Sequence, residues 1–307
     1  MIKNFLFHRV NPERDRLWDP MDVKLFEKCI RAIRDRYQVV LLEDLVSSPH
    51  LTDARANYAT ITFDDGYHDN LAYAAPILQK YQCAASFYVV TDCIDKNVLT
   101  WNHRLDHSFA HTRISKLALP FDFLPSYLQT PRLDSVESRI AYVKKLRLFL
   151  KILPHERRQI VLDKIFSTLT DVEMPSLMMS WEDVRQLRTA GHYIGSHTMT
   201  HSMLGTMSDA DAILQELVGS RNQIHAQLGY WPTSIAYPVG SYSPLTIQLC
   251  CTAGYQTGLA VMQDVYDPTR QNAFEIRRIE LYNESWLKTQ LRISNILEEI
   301  KTLIRYK

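Results

Sequence analysis

Glycine is scarce, with nine in 307 residues, about 3% where ~7% is usual. The few present form neither a GxGxxG fingerprint nor a GxxxxGK[ST] loop, which excludes nucleotide binding through the familiar phosphate-cradling turns. Cysteine is sparser still, five residues, odd in number and without CxxC spacing. That pattern argues against a disulfide framework and leaves Cys29, Cys83, Cys93, Cys250 and Cys251 as reduced, mostly buried thiols. No charge of one sign dominates, since 35 Lys+Arg face 34 Asp+Glu; a protein that coats nucleic acid is therefore not expected. Long apolar runs are missing too. None approaches the ~18 residues that would span a bilayer, and the opening MIKNFLFHRV is interrupted by His8 and Arg9, so no signal peptide, no membrane span and a cytoplasmic location are expected.

What is present is a regular alternation. Runs at 2–7, 39–42, 58–63, 84–90, 193–195, 235–237 and 255–260 read as strands, and between them lie helix-period segments at 22–36, 208–228, 243–252 and 285–304. Asp69 and Asn70 read as the cap of another helix that runs through Leu78. This order predicts an α/β chain with a parallel sheet and crossover helices. From about 96 to 178 the alternation stops. Proline-punctuated loop and two amphipathic helices, 136–152 and 155–169, mark a mainly helical insertion into a single unit that otherwise covers 1–307.

Two segments carry chemistry. Ile61-Thr62-Phe63-Asp64-Asp65-Gly66 sets two carboxylates at the end of an apolar strand, the position where (β/α) barrels build active sites. Two acids fanning from one turn can divide labour, one ligating a metal and the other accepting a proton. Ser196-His197-Thr198-Met199-Thr200-His201 supplies two imidazoles four residues apart after another short strand. With a strand-end Asp they make a two-His, one-carboxylate site with open positions for water and substrate. His192 precedes its strand and reads as structural. His103, His107, His111 and His155 share no spacing and are assigned no metal. Trp101, at the entry to the insertion, is a candidate to stack on a sugar face, with a core anchor as the alternative.

TFDDG at 62–66, SHTMTH at 196–201 and AYPVGSY at 236–242, with FHRV at 7–10 and Trp181-Glu182-Asp183 ahead of AGHYIGSH at 190–197, resemble the polysaccharide deacetylase family, also called NodB homology or carbohydrate esterase family 4. The likeness covers roughly 1–95 and 179–282. It implies a distorted, seven-stranded (β/α) barrel and metal-dependent hydrolysis of an N-acetyl group on an amino sugar, glycan or carrier-linked sugar. Residue by residue, it implies Asp64 as general base and Asp65, His197 and His201 as ligands of one divalent ion. Zinc leads for that ion, with cobalt, nickel or manganese as alternatives. It further implies the Val239 backbone N–H as oxyanion donor and Tyr237 and Pro238 as the wall for the acetyl methyl.

Two departures stand out. Position 236 is Ala where many members carry an Arg that orients the base, and the tail reads Phe274-Glu-Ile-Arg-Arg-Ile-Glu-Leu281 where many carry Leu-x-His with a general acid. The sequence resembles an AYPxG-type branch, in which Arg278 is expected to point inward and pair with Asp64 while strand alternation turns Arg277 outward. The proton donor stays unassigned, with His8 a further candidate. Competing readings are a deformylase or other small-amide hydrolase on the same site, and a silent carbohydrate-binding module.

Overall fold

The runs rich in β-branched and aromatic residues become a parallel sheet in the computed structural model, which describes residues 1–47, 57–96 and 98–296. In chain order the elements are β1 (Lys3–Phe7), α1 (Val23–Arg36), β2 (Gln38–Val39), α2 (Leu42–Ser47), β3 (Tyr58–Phe63), α3 (Ala75–Lys80), β4 (Ser86–Val89), α4 (Trp101–His111), α5 (Ser126–Gln129), α6 (Val136–Leu150), α7 (His155–Thr168) and α8 (Trp181–Thr189). They continue with β5 (Tyr193–Ser196), α9 (Ala210–Leu228), β6 (Ser234–Ala236), α10 (Pro244–Thr252), β7 (Thr257–Leu259), β8 (Ile279–Glu280) and α11 (Trp286–Ile293). The strand order is β7-β6-β5-β4-β3-β1-β8, with the two-residue β2 pairing on β3. Ile276, just before β8, bridges in parallel to Leu259 of β7, so the two ends of this seven-strand path meet. This is the distorted (β/α) barrel expected from the motifs.

Alternation along the strands sorts the side chains. Phe7, Phe63 and Phe87 stack in a row, with ring centroids 5.4 and 4.7 Å apart, and Phe26 of α1 meets Phe7 edge-on at 5.1 Å. Burying such rings between sheet and helices contributes about 2–3 kcal/mol each. On the opposite face the small polar residues Asn4, Thr60 and Thr62 are buried and internally hydrogen-bonded, as burial of polar groups requires.

The register brings the candidate site residues to one rim. Phe7 pairs with Phe63 and Val89 with Ser196, so His8, Asp64 and His197, each next along its chain, emerge together at the C-terminal ends of parallel strands. That end is where barrel sites form.

Three local expectations are corrected. The run 39–42 is not one strand: β2 ends at Val39, and Leu42 already starts α2. Asp69 does not cap the following helix. Its carboxylate instead accepts from Arg9 Nε at 2.9 Å and from the Val10 amide, and the chain runs through a π-helical turn over Asn70–Ala74. Pro76, lacking an N–H and crowding the carbonyl four residues back, accounts for that widened turn. The closing helix expected over 285–304 is α11 as far as Ile293; from 297 on, it lies outside the described residues.

The β4–β5 connection holds α4 to α8. Leu105, Phe109, Val143, Leu146, Leu150, Leu162 and Ile165 form a second apolar core there. Its entry and exit lie side by side: the Asp95 amide donates to Met179 O at 3.3 Å, and Asp95 Oδ1 accepts from the Trp181 amide at 3.2 Å.

Candidate active site

Asp64 and Asp65 leave β3 through a tight turn in which Asp65 and Gly66 have φ of 77° and 89°. Only glycine adopts such angles without strain. Thr198 and His201 (66° and 63°) and the β-branched Val239 (58°) are left-handed as well. Four non-glycine residues in this conformation around one cleft are a concentration of strain of about 1–3 kcal/mol each.

The turn aims Asp65 Oδ1 at His197 Nε2 (3.5 Å) and His201 Nε2 (3.2 Å). All three side chains are buried, their ligand atoms lie within 4.8 Å of one another, and neither Asp65 oxygen accepts a hydrogen bond from the described residues. His197 Nδ1 donates to Ala236 O at 2.7 Å, which fixes the tautomer and turns the Nε2 lone pair toward Asp65. A buried carboxylate with two unused oxygens beside two imidazole nitrogens fits a divalent cation. The charges agree. Burial opposes ionisation of Asp65, yet His197 and His201 hold its carboxyl well below the ordinary range. Burial pushes His201 down, outweighing the pull of Asp65, so its ring is neutral. Burial also opposes protonation of His197, but Asp64 and Asp65 raise it; a cation among them would take that proton's place.

Arg278 is fully buried and grips Asp64 with both arms of its guanidinium, Nη1 to Oδ1 and Nη2 to Oδ2, each at 2.7 Å, while Nε donates to Ala260 O. Burial raises the Asp64 carboxyl, but Arg278 and then His197 prevail, and the group sits below its ordinary value. Arg277 instead pairs with Asp264 in a half-exposed position.

A cleft of about 400 Å³ opens onto these groups and is lined by His8, Trp18, Asp19, Asn102, Arg147, Lys151, Val239, Glu280 and Tyr282 as well as Asp64, Asp65, His197 and His201. Of the three residues expected from AYPVG, only Val239 reaches it. Tyr237 points into the packing under α10, its hydroxyl donating to Phe274 O, and Pro238 is buried beside it. Of the two readings of Trp101 the structure favours the core anchor: it belongs to the second core, with the Arg158 guanidinium over its ring, and the aromatics at the cleft are Trp18 and Tyr282. His8 lies 5.7 Å from the Trp18 ring and pairs with Glu280. His192 accepts from the Ala85 amide, well away from the cleft.

Sequence reading also missed Glu216. From α9 its buried carboxylate accepts from the Met199 and Thr200 amides (2.9 and 3.0 Å), from the Thr200 hydroxyl and from the Ser202 hydroxyl. It pins the loop joining His197 to His201. An acid on the apolar face of a helix, three residues after Ile213 and eight before Ile224, was the available signal. Glu216→Ala should weaken divalent-metal affinity about 10- to 100-fold, the usual size for groups that orient ligands. Competition with a chelating dye measures this, and unchanged affinity would remove Glu216 from that role.

The comparisons agree with this geometry. A family model described as "Polysaccharide deacetylase" matches residues 52–258. Among solved structures, the chain superposes on the Streptococcus pyogenes deacetylase PplD in complex with acetate (TM-score 0.62, 16% identity, 95% of this chain and 97% of that one). It also superposes on IcaB from Ammonifex degensii (0.61, 15%, 95% and 96%) and on the de-N-acetylase from Aggregatibacter actinomycetemcomitans (0.60, 15%, 95% and 99%). No curated protein matches by sequence. None of the helices among the described residues is long and apolar enough to cross a membrane. With the family model spanning most of the barrel and the Asp-Asp turn and paired histidines at its rim, the chain belongs to the polysaccharide deacetylase family, hydrolases of amide bonds on sugars.

Proposed function

We propose that the chain is a metal-dependent N-deacetylase of an amino sugar or glycan precursor, of the AYPxG type. The observation that carries this is a base held ionised by a buried arginine next to three convergent ligand atoms. Asp65, His197 and His201 would hold a divalent ion, zinc first, which would supply water activation near neutral pH and polarisation of the acyl carbonyl when bound. Asp64 takes the proton of the attacking water on an oxygen lone pair that Arg278 leaves free, and returns it to the leaving sugar amine as the C–N bond breaks. Arg278 keeps the carboxylate ionised and fixes its plane. The Val239 amide, on a left-handed residue that lines the cleft, serves as the oxyanion donor.

The same groups would serve a formamide, so acyl size separates the deformylase reading. A silent binding module has no use for a buried acid whose oxygens lack donors. The test is acetate release from N-acetylglucosamine oligomers, with formate release from the N-formyl analogue alongside, before and after metal removal by chelator. Acetate release that stops on chelation and returns with added metal is expected. Release that survives chelation, or formate alone, overturns the proposal.

A further inference from the structure

We infer that the cleft has a subsite for an anionic group on the substrate, with Lys151 at its centre. The inference rests on the deacetylase reading for the identity of the substrate, but the charge argument stands on the cleft itself. Apart from Asp65 and its two histidines, the charged groups around this cavity are paired. Asp64 is held by Arg278, and Arg147 by the buried Asp106. Asp19 is held by Arg14 and Asn283. Glu280 takes His8 on one oxygen and the Tyr282 hydroxyl on the other, at 2.6 Å.

Lys151 differs. It sits at the C-cap of α6, one turn after Arg147, and lines the same cleft. Among the described residues no carboxylate lies within 4.0 Å of its ammonium. It is half-buried; burial, then the neighbouring Arg147, lowers its pKa, and the attraction of Glu280 and Asp106, neither of them paired with it, offsets only part of this. The carbonyls at the α6 C-terminus attract a cation but do not replace an ion-pair partner. An ammonium drawn partly out of water without a direct ion-pair partner costs stability, and an incoming anion reduces that cost while gaining a charge-assisted hydrogen bond. The ligand chemistry is a carboxylate or phosphate borne by the amino sugar; a neutral glycan leaves Lys151 as it is.

The test compares N-acetylglucosamine, N-acetylglucosamine 6-phosphate and N-acetylmuramic acid as substrates of the metal-loaded enzyme. At least one of the two anions should exceed the neutral sugar in kcat/KM by about 10-fold or more, the size of one hydrogen bond to a charged group, and which one does so separates phosphate from carboxylate. Lys151→Met should cut that preference most of the way, mainly through KM. Lys151→Arg should restore it, and Lys145→Met, at an exposed position on α6, should leave it intact. A preference for the neutral sugar, or equal losses on all three substrates in Lys151→Met, overturns the subsite. Calorimetric binding of glucosamine 6-phosphate and muramic acid keeps the two readings apart: Lys151-dependent binding without acetate release from any sugar supports the subsite and sinks the deacetylase reading.

Discussion

Asp65→Ala should purify without stoichiometric divalent metal, and His201→Ala likewise, while Asp64→Asn should keep the metal and lose turnover. The three side chains meet within 4.8 Å, and three protein ligands are the least that hold such an ion with a position open for water. Deleting any one leaves two. Asp64 does not belong to that set, because both of its oxygens face Arg278. Its replacement should lower kcat about 10²- to 10⁴-fold, as loss of a general base commonly does. Elemental analysis of the purified variants, with acetate release measured on the same samples, checks both halves. Full metal occupancy in Asp65→Ala would sink the assignment.

Arg278→Ala should lower turnover at least ~10²-fold with metal retained, whereas Arg277→Ala should be mild, since Arg277 serves only a half-exposed pair with Asp264. The pH profile gives a second readout. Burial alone raises the Asp64 carboxyl and Arg278 is the main influence holding it below its ordinary value, so removing the guanidinium raises the carboxyl and moves the acidic limb of kcat/KM to higher pH. The stability linkage has the same sign. With its folded pKa depressed, Asp64 contributes stability that is present above the unfolded pKa and lost as pH falls through the folded one; in Arg278→Ala that contribution disappears and a buried carboxylate is left unpaired, a loss of about 3–5 kcal/mol. Equal, small effects from the two arginine variants would return His8, which lines the cleft, to first place for closer study.

The short-range signals were legible because spacing along one segment sets them. Asp64-Asp65-Gly66 and His197 with His201 each lie on one turn or loop, and the strands that present them are plain apolar runs. Alternation could say only that one of Arg277 and Arg278 faces inward; the resemblance to the AYPxG-type branch singled out Arg278. Trp18 and Lys151 could not be read, since each comes from a loop or helix end whose position over the rim depends on tertiary packing, and for Glu216 the only signal was an acid on an apolar helix face, which does not say what it holds. The same gap explains Trp101: a ring beside the insertion entry suits a sugar platform as well as a core, and only the packing of α4, α6 and α7 decides. Asp69 shows a local preference overridden by a distant partner, Arg9.

The meeting of Asp95 with Met179 and Trp181 has a consequence for how such chains diversify. A segment of some eighty residues that leaves and re-enters the barrel at one point asks nothing of the β4–β5 pairing, and closing a longer or shorter loop there changes the entropy only logarithmically, about 0.6 kcal/mol per doubling. It supplies most of a second apolar core, which Met203, Leu17 and Val239 from outside the segment complete. Since Asn102, Arg147 and Lys151 from this segment line the cleft, exchange of the cassette rewrites one side of the rim in one genetic event while the acid turn and the two histidines stay where the sheet puts them.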